Sequence, residues 1–346
     1  MNDNVDANSG DDHELSSGLP QTIGFGPELW TDQFSIDERI LSHPLYSEPV
    51  IRTPQARGAY HACKERMRYG IDGFTVIGKP GMGRRGVVSV MRGYLHQEFP
   101  RLATFEHAIS RFPSEKPSVN LSGLLVSAAN EKTGGARTAQ LDRLTSMLEE
   151  RARTSNIPLC VLFLHNSEFA NEALCNTLLD LRDSLRLRGL RIFFVHCALF
   201  DPFMNLVGEL KKKLRPAELR SIFGTAYDVY APETVEEYRE ILSEIDTAPF
   251  GSAGNATWIE ALLPEAYRGG FRLASQAEPL HDAVRTFAGG RLSVRMFFEV
   301  VRTVVAQSTS QDRCGFEIPP EIWGDAVRLV TGVGYSYLLE SGSQER

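Results

Sequence analysis

The apolar positions of this chain follow two rhythms, and the order in which they alternate predicts the architecture. Continuous apolar runs of strand length occur at Gly73 to Ile77, Pro158 to Leu164 (PLCVLFL) and Leu190 to Val195 (LRIFFV). Runs of this kind suit strands buried on both faces. Pro117 to Val126 and Ala226 to Tyr230 read as two further strands. Between them the spacing turns helical over Gln55 to Tyr69, Val87 to Phe99, Leu141 to Arg153, Asn171 to Arg188 and Met204 to Leu214. Thr53-Pro54 is a good start for the first of these helices. Strands alternating with helices predict an α/β fold with a parallel sheet between helices. Beyond Pro232 the strand signal ends, and Glu236 to Ile245, Trp258 to Leu263, Leu280 to Phe287, Leu292 to Ala306 and Pro320 to Val330 read as helices. There is no internal repeat.

At 346 residues, 42% hydrophobic and 23% charged, the chain has the length and composition of a globular core plus a smaller lobe. No window offers the roughly 18 apolar residues of a membrane helix, so no membrane role is expected. Met1 to Pro20 hold five acids and no Lys or Arg, the wrong pattern for a signal peptide. They read as a disordered acidic tail on a cytoplasmic protein. The five cysteines form no Cys-x-x-Cys pair and read as buried thiols, with no metal site expected. A net charge of −7 argues against coating DNA by bulk attraction, though a local basic face is compatible with it.

The candidate chemistry begins at the turn after the first strand. A phosphate loop reads G-x-x-x-x-G-K-[ST]: backbone amides cradle phosphate, the Lys reaches the β/γ oxygens, and the hydroxyl ligates Mg²⁺. Gly78, Gly81 and Gly83 supply the glycine spacing, and Arg84 and Arg85 stand where Lys and Ser/Thr belong. A guanidinium has no acceptor for a metal, and its planar fork does not reproduce the Lys geometry. The strand Val161 to Leu164 should end in Asp-Glu and instead meets His165 and Asn166, with Glu168 two positions past the place of the water-orienting acid. Glu168 is therefore a displaced acid candidate, and no catalytic residue is otherwise assigned. Losing Mg²⁺ and water positioning together should remove most hydrolysis, which predicts a pseudo-ATPase. His165 and His196 at strand ends read as hydrogen-bonded edge residues, since neither has a partner at metal-ligand spacing.

These residues resemble the AAA+ regulators of DNA transposition of the TnsC or TniB type over about residues 43 to 300. The likeness lies in the lead-in HPLYSEPVIRTPQARGAYHACKE, the strand and loop FTVIGKPGMGRRG, the strand CVLFLHNSE, and RIFFVHCAL followed by a basic helix. Phe287 to Arg295 (FAGGRLSVR) resembles the family's turn into a lid helix, where a sensor-2 arginine often lies. The resemblance implies a P-loop NTPase (AAA+) core over 37–231 and a C-terminal helical lid domain over 232–335, flanked by tails at 1–36 and 336–346. It implies a ring or filament on duplex DNA that connects a target selector to a transposase. Cys197, Arg215, Arg220 and Arg295 are then the sensor or finger candidates. Lys132, Thr133, Arg137 and Thr138, in a polar loop over Ala128 to Ala139, are the DNA-contact candidates, residue types that suit phosphate contacts.

Three readings stand side by side at this stage. The first is a non-hydrolysing adaptor whose pocket is empty or holds ATP without normal Mg coordination. The second is a slow or atypical ATPase using Arg84 and Glu168 in displaced roles. The third is a signalling or defence AAA+ module with no DNA role. The cluster Lys211, Lys212, Lys213, Arg215 and Arg220 fits either a trans finger or a plain solvated face.

Overall fold

The computed structural model describes residues 43–46, 50–129, 135–250 and 256–332. Five strands form one sheet: β1 (Gly73–Gly78), β2 (Ala103–Ala108), β3 (Leu159–His165), β4 (Arg191–Leu199) and β5 (Thr225–Val229). Their order across the sheet is β2-β3-β4-β1-β5, and every pair is parallel. Parallel neighbours require crossovers, and helices provide them. α1 (Pro54–Arg68) leads into β1, and α2 (Arg84–Glu98) follows the glycine turn. α3 (Pro117–Ala129) and α4 (Arg137–Ser155) connect β2 to β3, and α5 (Glu172–Leu187) connects β3 to β4. α6 (Phe200–Leu210) and α7 (Pro216–Phe223) connect β4 to β5.

The period-two alternation of the central strands divides the apolar residues between two layers. Val161, Phe163, Phe193 and Val195 pack against α1 and α2 with Ala59, Cys63, Val88 and Met91. Leu162, Leu164, Phe194 and Ala198 face the other way, onto Leu124, Leu144, Leu178 and Leu181. This is why β3 and β4 read as unbroken apolar runs.

Three expectations are corrected here. Pro117 to Val126 is helix α3: Leu121, Leu124 and Leu125 are buried while Val119 and Val126 are exposed, a helical spacing rather than an alternating one. The second strand is Ala103–Ala108 (ATFEHA), at the sheet edge, where Thr104, Glu106 and His107 are only partly covered. The expected loop over Ala128 to Ala139 is also shorter, because α3 runs to Ala129 and α4 begins at Arg137. The three lysines 211–213 lie in the turn after α6 rather than inside that helix.

From α8 (Val235–Thr247) onward the chain is helical apart from a two-residue pairing of Pro249–Phe250 with Ala256–Thr257. α9 (Trp258–Leu262), α10 (Pro264–Arg268), α11 (Ala277–Phe287), α12 (Val294–Ser308) and α13 (Pro320–Thr331) complete it. These helices share a separate core that includes Tyr238, Leu280, Phe297, Val301 and Trp323. The lead-in joins it, with Leu45 and Ile51 in the same cluster and His43 stacked on Phe250 at 4.8 Å. Strand order, the glycine turn after β1 and the following helical region give the expected α/β architecture, a parallel sheet between helices followed by a C-terminal helical region. Among the described residues no helix is long and apolar enough to cross a membrane.

Candidate functional site

The glycine turn leaves β1 at Gly78 and enters α2 at Arg84. Gly81 and Gly83 both have positive φ, +80° and +77°, a region open to glycine at no steric cost. Their second constraint is tertiary. A Cβ on Gly81 would lie 3.1 Å from Ser293 Oγ, and one on Gly83 would lie 3.0 Å from Val294 Cγ1. The start of α12 is thus seated on the turn, and the Arg295 N–H donates to the Gly81 carbonyl at 2.9 Å. Ser293 caps α12, its Oγ accepting from the Met296 N–H at 3.2 Å.

The first turn of α2 points its two arginines at the ends of β3 and β4. The Arg84 guanidinium lies 3.9 Å from the Glu168 carboxylate, with side chains 14% and 2% exposed. The other Glu168 oxygen accepts from the Leu199 N–H at 3.2 Å. Burial pushes the Cys197 thiol up to about 11, against the pull of the nearby Arg84 guanidinium. Arg85 donates to Asn166 Oδ1 at 3.0 Å. Asn166 itself has φ +57°, a conformation that Asn tolerates better than most side chains. It opens the short 3-10 turn Ser167–Phe169, which lifts Glu168 back under the loop.

His165 is turned away from this group. Its Nε2 lies 2.9 Å from Glu106 on β2, and Arg92 of α2 pairs with the same carboxylate. The structure therefore brings together Gly81, Gly83, Arg84, Arg85, Asn166, Glu168, Cys197 and the backbone of Arg295. It leaves His165 at the rim.

The other candidates lie elsewhere. The Arg295 side chain is exposed and bonds to Glu299 at 2.9 Å. Arg215 is exposed and bonds to Glu218 at 2.9 Å within the cap of α7, and Arg220 is exposed on the same helix. Arg137 pairs with Asp180, and Thr138 is exposed beside it. Lys132 and Thr133 lie outside the described residues. Among the described residues no group of three or more His, Cys, Asp or Glu is placed to hold a metal. Four cysteines are buried, while Cys314 is exposed.

Sequence reading missed Ser293 and Val294 as partners of the glycine turn. It also missed a buried pair behind the site, in which His196 Nδ1 lies 3.0 Å from Ser167 Oγ and the ring packs on Phe223 at 4.7 Å. Burial pushes the His196 pKa down from 6.5 to about 3, and that of His43 to about 4. The unfolded chain takes up these protons below about pH 6.5 while the folded one does not, so stability is full above that pH and falls below it. At pH 5 each histidine is expected to cost about 2 kcal/mol. Urea unfolding at pH 7.5 and pH 5 measures this, and an unchanged free energy would contradict it.

Neither a protein-family model nor a curated protein sequence matches the chain. Among solved structures, the chain is similar to the Aeropyrum pernix Orc1 protein in complex with DNA, at 11% identity and TM-score 0.47, over 84% of this chain and 68% of that one. It is similar to Drosophila ORC bound to DNA at 14% identity and TM-score 0.46, over 92% and 70%. It is also similar to domain III of the Thermotoga maritima replication initiation protein DnaA at 15% identity and TM-score 0.40, over 84% and 97%. Likenesses of this size say nothing about activity or ligands, and the fold rests on the strand order and the glycine turn.

Proposed function

We propose that this chain is a non-hydrolysing AAA+-type adaptor whose phosphate site has become an internal ionic latch, and that it acts within a DNA-transposition assembly. The observation that carries the first half is the pairing of Arg84 with Glu168 and of Arg85 with Asn166. In a working site these positions hold the groups that grip phosphate, metal and water. Mg-ATP does not fit the arrangement as it stands. Two guanidinium groups lie where a cation and its ligands would have to meet, and Ser293 and Val294 press on the turn that would cradle phosphate. The second half rests on the sequence resemblance. It implies an oligomer on duplex DNA, with a transposase and a target selector as partners.

Both halves can be tested on the purified chain. ATP titrated with and without Mg²⁺ should show no metal-dependent binding and no turnover. Normal turnover abolished by Glu168→Gln would overturn the reading. In gel retardation, duplex DNA should bind with an affinity that falls steeply as salt rises, by about 0.9 log unit per log unit of salt for each phosphate contacted. Absence of binding at low salt would favour the module without a DNA role.

A further inference from the structure

Behind the turn that carries Glu168, on the face of the sheet away from α2, lies a buried polar contact. Phe194 and Ala198 of β4 face that way, into the cluster under α5, α6 and α7. His196 stands between them in the alternation and is fully buried. A histidine in such a layer costs free energy unless its polar atoms are used, and Leu or Phe would fill the space without that cost. Its Nδ1 lies 3.0 Å from Ser167 Oγ, and that hydroxyl donates to the Leu164 carbonyl at 2.9 Å. A hydroxyl has one hydrogen. With it given to Leu164, the ring supplies the hydrogen of the 3.0 Å contact, so the proton sits on Nδ1. Phe223, the last residue of α7, covers the ring at 4.7 Å, and Thr75 Oγ1 fixes Phe223 by donating to its carbonyl at 2.6 Å. Ser167 is fully buried too and opens the 3-10 turn whose next residue is Glu168.

We propose that His196 is a positioning residue for the latch: through Ser167 it fixes the height of the turn and so holds the Glu168 carboxylate against Arg84. This role rests on the Arg84–Glu168 latch proposed above. Glu168 is then held from two sides. In front are the Leu199 N–H and the Arg84 guanidinium, and behind are Ser167 and His196. Loss of the rear contact frees the turn while both members of the ion pair remain. A reporter lies close by. Cys197 follows His196 in β4, so its side chain points to the opposite face. There it is 2% exposed and feels the charges of Arg84 and Glu168. Its thiol becomes reachable when the turn lifts.

Labelling of the full chain with N-ethylmaleimide, followed cysteine by cysteine by mass spectrometry, tests this. Cys63 on α1 and Cys160 at the far end of β3 are also buried and report general loosening. His196→Leu and Ser167→Ala should each label Cys197 about tenfold faster relative to those two, the worth of one buried hydrogen bond. The double variant should be no faster than either single one, because both remove the same contact. His196→Asn, which returns an N–H near the Nδ1 position, should slow the labelling again. In the native chain, nitrogen-15 NMR should find the His196 proton on Nδ1. Native rates at Cys197 in both single variants would overturn the role, as would a proton on Nε2. A rise shared equally by Cys63 and Cys160 would also overturn it, since His196 would then be a packing residue only. Arg84→Met, labelled alongside, keeps the two proposals apart. If it leaves Cys197 at the native rate, the latch itself fails and the role with it. If it accelerates Cys197 while His196→Leu and Ser167→Ala do not, the latch stands and only the positioning role fails.

Discussion

Combining Arg84→Lys, Arg85→Thr, His165→Asp and Asn166→Glu is expected to give this chain measurable Mg-dependent ATP binding where the native protein should show none. The substitutions return a Lys to the loop, a hydroxyl to the first turn of α2 and the paired acids to the end of β3, each at the position where that chemistry operates. They also dismantle the latch, since Arg84 no longer meets Glu168 and Arg85 no longer meets Asn166. Charge-assisted contacts are worth about 1.5–3 kcal/mol each. Two restored contacts therefore amount to about 3–6 kcal/mol, or roughly a hundredfold to a ten-thousandfold in affinity. Part of this is offset at position 166, where φ is +57° and a Glu costs about 1 kcal/mol more than an Asn. The lid must also yield, because Ser293 and Val294 sit against Gly81 and Gly83. Calorimetric titration of both proteins with ATP, with Mg²⁺ present and absent, is the measurement. Equal binding by the two, or Mg-dependent binding by the native chain, would contradict the latch.

The parts of this fold that were legible in the sequence are those that a buried environment writes into every position. β3 and β4 read as strands because both faces are covered and each residue had to be apolar. The glycine turn was legible because positive φ at Gly81 and Gly83 restricts the residue type. β2 was not, because an edge strand lies open on one side and ATFEHA is half polar. α3 was misread although Leu121, Leu124 and Leu125 have helical spacing, since Pro117-Ser118-Val119 opens like the start of a strand. Nothing local marks Ser293 and Val294 as neighbours of a turn some 210 residues earlier. The residues replaced at positions 84, 85, 165 and 166 were legible as departures from a motif. Where their side chains went was not, because Arg84 reaches Glu168 only through the left-handed turn at Asn166, which lifts that acid back under the loop.

That contact leads to the second large effect. Arg84→Met is expected to destabilise the fold by about 3–5 kcal/mol, the cost of leaving a buried charge without its partner. The Glu168 side chain is 2% exposed and keeps only the Leu199 N–H as a donor once the guanidinium is gone. Glu168→Leu should cost less, because Arg84 begins 14% exposed on a long stem that can swing its charge into water. The double variant should lie within about 1 kcal/mol of the native chain, since replacing both members of a buried pair by apolar groups is often neutral. The two single effects must therefore fail to add, and urea unfolding of all four proteins measures by how much. The exposed pair Arg215 and Glu218 is the control, with the guanidinium side chain 83% in solvent, where deletion should barely register. If Arg84→Met behaved like that control, the guanidinium would be an incidental neighbour of Glu168. The space beneath the glycine turn would then be open to a phosphate, and the pocket would have to be read as a weak nucleotide site rather than a closed one.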